Sequence, residues 1–208
     1  MAEAMPSVDT SAWRLQTACE IQKAEYRVIV SDVGQLTSHE NTRDFADVLM
    51  ANEQFVRDFT DPHLDGFAHQ NLAIVTCFDS RIDPLRIVGM AAGDAKIVRN
   101  AGARVTDDVL RTLVLATGLL GVRRVLVMPH TDCRMATSDE AGIHAKIFEA
   151  SGVDTRSIEF RTASDQRATL REDVQRVRSF PLLPLGLSVL GAIYDVHTGQ
   201  LHPEPEVD

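Results

Sequence analysis

Two short clusters of polar residues in this sequence combine side chains that can bind a metal ion. The first cluster, Cys77 to Arg81, reads Cys-Phe-Asp-Ser-Arg, and the second, His130 to Cys133, reads His-Thr-Asp-Cys. A His-x-x-Cys turn lets one imidazole and one thiolate converge on a single metal ion, to which Cys77 can add a third ligand. Two thiolates and one imidazole favour zinc over magnesium, calcium or manganese, which prefer oxygen ligands.

Three protein ligands leave a tetrahedral zinc ion with one open position, which is typical of catalytic rather than structural sites. Each cluster alone has an ordinary alternative, because single buried cysteines are common in protein cores and a histidine at a strand end is usually structural. The two clusters together favour a metal site with Cys77, His130 and Cys133 as its ligands.

Asp79 and Arg81 lie beside the predicted metal site and have two alternative arrangements. Asp79 can bind the zinc ion as a fourth ligand in a closed state, or it can form a bidentate pair with Arg81. The ordinary alternative is an exposed ion pair worth at most about 1 kcal/mol. In the paired state, Asp79 would orient a zinc-bound hydroxide while Arg81 keeps the carboxylate ionised. Competition between Asp79 and hydroxide for zinc predicts an activity that rises in the mildly alkaline range.

Strands that end at the two clusters are predicted to bring them together. Residues 72–76 form a short apolar run that is typical of a buried parallel strand, and Cys77 follows it directly. Residues 124–128 form a second such run, followed by Pro129 and His130. Ligands collect at the carboxyl ends of the strands in parallel sheets. We therefore expect Cys77 and His130 to meet at that edge.

The rest of the pattern from residue 72 onward also alternates strands and helices. Asp83 and Pro84 indicate the start of a helix, and Asp107 and Asp108 are predicted to cap the apolar helix that follows them. Further strands are predicted at residues 95–98 and 187–194, and further helices at residues 44–59, 140–150 and 164–178.

The predicted fold is an α/β single domain with a mostly parallel central β-sheet flanked by helices. Within residues 1–208, the sequence predicts an N-terminal helical arm over residues 1–70 and a zinc-binding α/β core over residues 71–200. A chain of 208 residues is long enough for one well-buried core and short for two.

Composition limits the partners and the location that we expect. The formal charge of −9 and the pI near 5.2 disfavour nucleic acid as a partner. Residues 1–11 lack the pattern of a signal peptide, and no apolar run approaches the roughly 18 residues of a membrane span. Three scattered cysteines do not form a disulfide framework. The sequence therefore predicts a cytoplasmic protein that binds neither membranes nor nucleic acid.

The two clusters and the segment between them resemble the paired signature of the beta-class carbonic anhydrases. Cys77-x-Asp79-x-Arg81 and His130-x-x-Cys133 are similar to the two halves of that signature. Other segments that are similar to the family are residues 93–95, 99–102 and 193–199.

The resemblance implies that Cys77, His130 and Cys133 bind Zn²⁺ and that Asp79 and Arg81 form a catalytic dyad. It also implies a homodimer or homotetramer in which the N-terminal helices reach over the neighbouring subunit. The implied reaction is the zinc-dependent, reversible hydration of CO2 to bicarbonate and a proton, through a zinc-bound hydroxide.

Three features leave the detailed function open. Arg134 stands where the family usually has glycine, which predicts a turn made without glycine's freedom and a cation close to the metal. The same zinc site could hydrolyse carbonyl sulfide or carbon disulfide, or it could be a non-catalytic zinc or redox module that Asp79 closes permanently. His39 and His144 are candidate proton carriers because histidine titrates near neutrality.

Overall fold

A five-stranded sheet forms the centre of the computed structural model, which describes residues 44–60 and 63–205. Its strands are β1 (Leu72–Cys77), β2 (Ala95–Asn100), β3 (Arg124–Met128), β4 (Ser188–Tyr194) and β5 (Leu201–Pro203). The spatial order is β2-β1-β3-β4-β5, with β1 to β4 parallel and β5 antiparallel to β4. The predicted α/β fold with a mostly parallel sheet is confirmed.

The helices are α1 (Ala46–Asp58), α2 (Pro84–Ile87), α3 (Asp107–Leu119), α4 (Glu140–Ser151) and α5 (Gln166–Arg178). The described part of the chain contains two compact units. One unit consists of residues 63–144 and 156–205 and contains the whole sheet, and the other consists of residues 44–60 and 145–155. Within the described ranges, none of the helices is long and apolar enough to cross a membrane.

Both faces of the sheet carry a hydrophobic core, and β1 lies between the two cores. All six residues of β1 are buried, which agrees with its continuously apolar sequence. Ala73 and Val75 pack into one core with apolar side chains of α3 and α5, whereas Leu72 and Ile74 pack into the other. Because β1 is fixed from both sides, the position of the loop that follows it is also fixed.

Strand register places the two predicted metal-binding clusters side by side. β1 pairs with β3 from Leu72 opposite Arg124 to Thr76 opposite Met128. His130 then makes an isolated parallel bridge to Tyr194 of β4. The chain therefore leaves β1 and β3 at the same carboxyl edge of the sheet, as the sequence predicts.

Helices α2 and α5 each begin with an aspartate cap. The carboxylate of Asp83 accepts a hydrogen bond from the backbone N–H of Arg86, and Pro84 occupies the first position of α2, so this predicted start is confirmed. At α5, the carboxylate of Asp165 accepts a hydrogen bond from the backbone N–H of Ala168. The observed α5 therefore begins two residues after the predicted start at residue 164.

The predicted cap of α3 by Asp107 and Asp108 is wrong. Thr106 is the cap, and its hydroxyl oxygen accepts a hydrogen bond from the backbone N–H of Val109. Asp107 and Asp108 instead occupy the first turn, where carboxylates favour the positive end of the helix dipole. Because threonine and aspartate are both good caps, the sequence alone placed the boundary one residue too late.

Two parts of the described chain differ from the predicted pattern. The last predicted strand is followed by β5, which the sequence analysis missed because a three-residue strand is too short to show periodicity. The described part of the predicted helical arm contains α1, while residues 63–71 form turns. Residues 1–43, including the rest of that arm, lie outside the described residues. The single-domain organisation stays a prediction.

Candidate metal centre

Cys77, His130 and Cys133 converge at the carboxyl edge of the sheet. Their possible metal-binding atoms all lie within 4.8 Å of one another, and the two sulfur atoms are 4.0 Å apart. Both cysteines are free thiols, and all three side chains are almost fully buried. The structure therefore brings together the three residues that the sequence predicts as ligands.

His130 presents one ring nitrogen to the two sulfur atoms. Its Nδ1 lies 2.8 Å from the carbonyl oxygen of Thr131, and only a protonated nitrogen can donate to that acceptor. In the neutral ring, this hydrogen bond leaves Nε2 unprotonated, with a lone pair available for a metal. Nε2 is fully buried and has no hydrogen-bond partner among the described residues. A buried, unpaired acceptor beside two thiols is well suited to a metal ion.

The two thiols share one proton in the metal-free protein. A hydrogen bond from the Cys133 thiol lowers the pKa of Cys77 to about 4, against the opposing effect of burial and with further help from His130. The same hydrogen bond, together with burial, raises the pKa of Cys133 well above its usual range. Burial opposes protonation of His130, but the neighbouring Cys77 thiolate outweighs that effect and raises the pKa of the imidazole. The pocket thus already contains one thiolate and favours a cation.

A short 3-10 turn after β2, Ala101–Ala103, also stabilises the Cys77 thiolate. The backbone N–H of Gly102 points at the Cys77 sulfur over 3.4 Å. Gly102 has φ +78°, and a Cβ at this position would lie 3.1 Å from the Cβ of Met135. Glycine is therefore required both by the backbone conformation and by the lack of space.

Asp79 and Arg81 form the bidentate pair that the sequence analysis gave as one of two arrangements. Arg81 Nε donates to Asp79 Oδ1 over 3.0 Å, and Arg81 Nη2 donates to Oδ2 over 2.9 Å. These hydrogen bonds hold the pKa of Asp79 well below its usual range. Asp79 Oδ2 lies 3.8 Å from His130 Nε2, so the ionised carboxylate borders the three-ligand group. The closed state, with Asp79 as a metal ligand, stays a prediction.

The side chains of Arg99 and Asp132 also contact this site, and the sequence analysis assigned neither a role. Arg99 donates from Nε to the carbonyl oxygen of Cys77 over 2.9 Å and from Nη2 to that of Asp79 over 2.6 Å. Asp132 accepts a hydrogen bond from Arg81 Nη1 over 2.8 Å. Arg99 directly follows the strand predicted at residues 95–98, but the sequence did not indicate that this strand pairs with β1. Asp132 shows no signal beyond its position within His-x-x-Cys.

The site lies within a region of the chain that matches a known protein family. The carbonic anhydrase family model matches residues 72–201, a range that includes both clusters. Beta-carbonic anhydrase 1 of Mycobacterium tuberculosis is 34% identical over 157 residues, which cover 75% of this chain and 94% of that protein. This chain belongs to the beta-carbonic anhydrase family.

Further similar proteins support the assignment of this chain to the family. The crystal structure of carbonic anhydrase from Streptococcus mutans matches with a TM-score of 0.72 and 36% identity, covering 81% of this chain and 99% of that chain. A carbon disulfide hydrolase of Acidianus sp. is 29% identical over 165 residues, which cover 67% of this chain and 79% of that protein. The relatives of this chain therefore include proteins named for two activities.

The departure at Arg134 does not distort the turn from His130 to Cys133. The left-handed residue in the turn is Asp132, with φ 53°, and Arg134 is not among the described residues with positive φ. The turn is therefore made without glycine's freedom at position 134, as the sequence predicts, and a cation close to the metal stays a prediction. The Arg134 side chain is exposed.

Of the two candidate proton carriers, only His144 lies within the described residues. His144 is mostly buried, packs against the Phe160 ring at a centroid distance of 5.2 Å and has Nε2 3.9 Å from Glu140 Oε1. These contacts give His144 a structural role within α4 and the loop before α5. His39 lies outside the described residues, and a proton-carrying role for either histidine stays a prediction.

Proposed function

We propose that this chain catalyses the reversible hydration of CO2 to bicarbonate and a proton, and that Cys77, His130 and Cys133 hold the zinc ion it needs. The supporting observation is the convergence of two thiols and an unpaired imidazole nitrogen within 4.8 Å, beside an ionised carboxylate. When bound, zinc would act as a Lewis acid that lowers the pKa of a water molecule toward neutrality.

Asp79 has the role of orienting the attacking water molecule. Its pKa lies well below the usual range because Arg81 donates two side-chain hydrogen bonds to it. Asp79 can therefore accept a hydrogen bond from the water molecule, but it is a weak base. A weak base does not retain a proton near neutrality. In this proposal, Asp79 accepts a hydrogen bond that directs an oxygen lone pair at CO2, and the released proton passes to solvent.

Arg81 and Arg99 hold the Asp79 carboxylate in place from two sides. Arg81 binds the carboxylate itself, and Arg99 binds the backbone carbonyl oxygens of Cys77 and Asp79. A carboxylate fixed at its side chain and at its backbone loses little entropy when it engages a substrate. The dyad of Asp79 and Arg81 is thus the proposed catalytic pair of this chain.

A second candidate uses the same residues to hydrolyse carbon disulfide or carbonyl sulfide. The similarity to the carbon disulfide hydrolase of Acidianus sp. favours it. Both substrates resemble CO2 in being linear molecules with an electrophilic central carbon, so the same attack by water applies. A non-catalytic zinc or redox module is a third candidate, supported by the two free thiols 4.0 Å apart.

Parallel assays on one zinc-loaded preparation separate these candidates. We expect stopped-flow measurements to show CO2 hydration, and sulfide release from carbon disulfide to be much slower. Faster release of sulfide would replace the first candidate by the second. Zinc-loaded protein that is inactive in both assays would leave the non-catalytic module. The Cys133→Ser variant is the control for the uncatalysed rate of each reaction.

We also propose that the chain forms a homodimer or homotetramer in the cytoplasm. No residue of α1 is buried, although the helix carries several large apolar side chains, namely Val48, Leu49, Met50, Phe55 and Val56. An exposed apolar helix of this kind favours a protein partner, and a second copy is the simplest one. Sedimentation at micromolar concentration should give a mass at least twice 22.9 kDa, and a monomer alone would contradict the proposal.

A further inference from the structure

Arg81 contacts two carboxylates that come from different parts of the chain. Besides its two bonds to Asp79, its Nη1 donates to Asp132 Oδ2 over 2.8 Å and its Nη2 donates to the backbone carbonyl oxygen of Asp132 over 3.1 Å. All three guanidinium nitrogens are therefore engaged. Since 51 positions separate Arg81 from Asp132, the guanidinium joins the loop after β1 to the loop after β3.

The backbone of Asp132 is shaped for this contact. Asp132 has φ 53°, in the left-handed region that most residues avoid and that aspartate, asparagine and glycine tolerate best. In this conformation, Asp132 directs both its carboxylate and its carbonyl oxygen at Arg81. One residue thus supplies two acceptors to the same guanidinium.

The contact contributes little to the stability of the fold. The side chains of Arg81 and Asp132 are 43% and 59% exposed, and ion pairs at that exposure are strongly screened by solvent. Asp79 is the more buried partner, with 22% exposure. An exposed carboxylate that binds the outer side of a catalytic arginine acts through geometry more than through stabilisation.

We propose that Asp132 is a positioning residue that fixes the plane of the Arg81 guanidinium and thereby the orientation of Asp79. The proposal rests on the proposed function, because it assigns Asp132 to the same dyad. With Asp79 as its only partner, the guanidinium would be held at one edge, and the guanidinium and the carboxylate could rotate together. Asp132 adds a second anchor from the other loop and prevents that rotation.

Substitutions at Asp132 separate its charge, its side chain and its backbone conformation. Asp132→Asn keeps the size and the left-handed preference but loses the charge, and Asp132→Gly keeps the backbone conformation but loses the side chain. Asp108→Asn is the matched control, because Asp108 pairs with Arg111 in an exposed contact of 2.7 Å outside the site. We expect kcat for CO2 hydration to fall roughly tenfold in Asp132→Gly, less in Asp132→Asn, and not in the control.

A second readout reports on Arg81 directly and does not require activity. In protein labelled with ¹⁵N-arginine, the Nη1–H signal of Arg81, assigned with Arg81→Lys, should be protected from solvent exchange by its hydrogen bond to Asp132. Asp132→Gly should abolish this protection while zinc content stays at the parent level. Asp108→Asn should leave it intact.

Each combination of results decides the proposal. Lost protection with lower kcat and unchanged zinc supports it. Unchanged protection in Asp132→Gly overturns it, whatever happens to kcat, and so does lost protection with unchanged kcat in an active enzyme. If the parent protein hydrates no CO2, the proposed function fails, and the Arg81 signal alone then decides whether Asp132 anchors the guanidinium.

Discussion

The sulfur atoms of Cys77 and Cys133 lie 4.0 Å apart, although 56 positions separate the two residues in the chain. The parallel pairing of β1 with β3 produces this proximity, because Cys77 ends β1 and Cys133 lies in the loop after β3 at the same edge of the sheet. At this distance the two thiols are not independent acids. They share one proton until a metal displaces it.

Titration of the metal-free protein should reveal one thiolate under mildly acidic conditions. The folded pKa of Cys77 is about 4, below the value of an unfolded cysteine, so the thiolate exists at every pH above that value while the protein stays folded. In a Cys19→Ser background, thiolate absorbance at about pH 6 should correspond to one group in folded protein and to almost none in urea. Thiolate absorbance that appears only near pH 8.5 would contradict the shared proton.

Replacement of Cys133 by serine should remove the metal. A neutral hydroxyl is a poor substitute for a thiolate, and the remaining Cys77 and His130 give only two ligands. We expect the zinc affinity to fall by more than about 100-fold, since even outer-shell changes cost 10- to 100-fold. Elemental analysis after dialysis measures the loss, with Cys19→Ser as the cysteine control. Full zinc content in Cys133→Ser would show that the ligand assignment is wrong.

Replacement of Arg81 by alanine should leave zinc bound and reduce turnover roughly 10- to 100-fold. Asp79 would lose both side-chain hydrogen bonds that keep it ionised and oriented. Arg81→Lys should restore activity only partly, because an ammonium group cannot make the planar two-point contact. Arg111→Ala is the control, because it removes an exposed ion pair outside the site and should leave turnover unchanged. Equal kcat values for all four proteins would exclude the dyad from the mechanism.

Replacement of Gly102 by alanine should destabilise the protein more than the same change at Gly89. Both glycines have positive φ, which costs alanine about 1–2 kcal/mol, but only Gly102 faces close atoms, at 3.1 Å from Met135 Cβ. Overpacking should add about 1–3 kcal/mol at Gly102. Urea unfolding of the metal-free proteins measures both changes. Equal losses of unfolding free energy would mean that Met135 moves aside without cost.

Much of the fold, and the convergence of Cys77, His130 and Cys133, could be predicted because the sequence patterns there are local. The apolar runs of β1 and β3 end directly before Cys77 and before Pro129-His130, and parallel sheets place such ends together. Asp83 with Pro84 marks a helix start by its residue types alone. The signals for these elements each lie within a few consecutive residues, although the strands themselves pair with distant parts of the chain.

The remaining features could not be predicted because they depend on contacts between distant parts of the chain. Arg81 binds Asp132, which lies 51 positions further along the chain. Arg99 reaches the carbonyl oxygen of Cys77 only because β2 pairs with β1. The short strand β5 depends on β4 as a template rather than on its own sequence. Sequence spacing indicates which residues can share an edge, but not which side chains meet there.

The most direct test of the central claim is a zinc titration of the metal-free protein, followed by the initial rate of CO2 hydration. If Cys77, His130 and Cys133 are the proposed single ligand group of the chain, the rate should rise linearly and become constant at one zinc ion per chain. Zinc content and rate should therefore reach their plateaus together. A fully active metal-free protein, or a protein that binds one zinc ion without gaining any CO2 hydration, would contradict the claim.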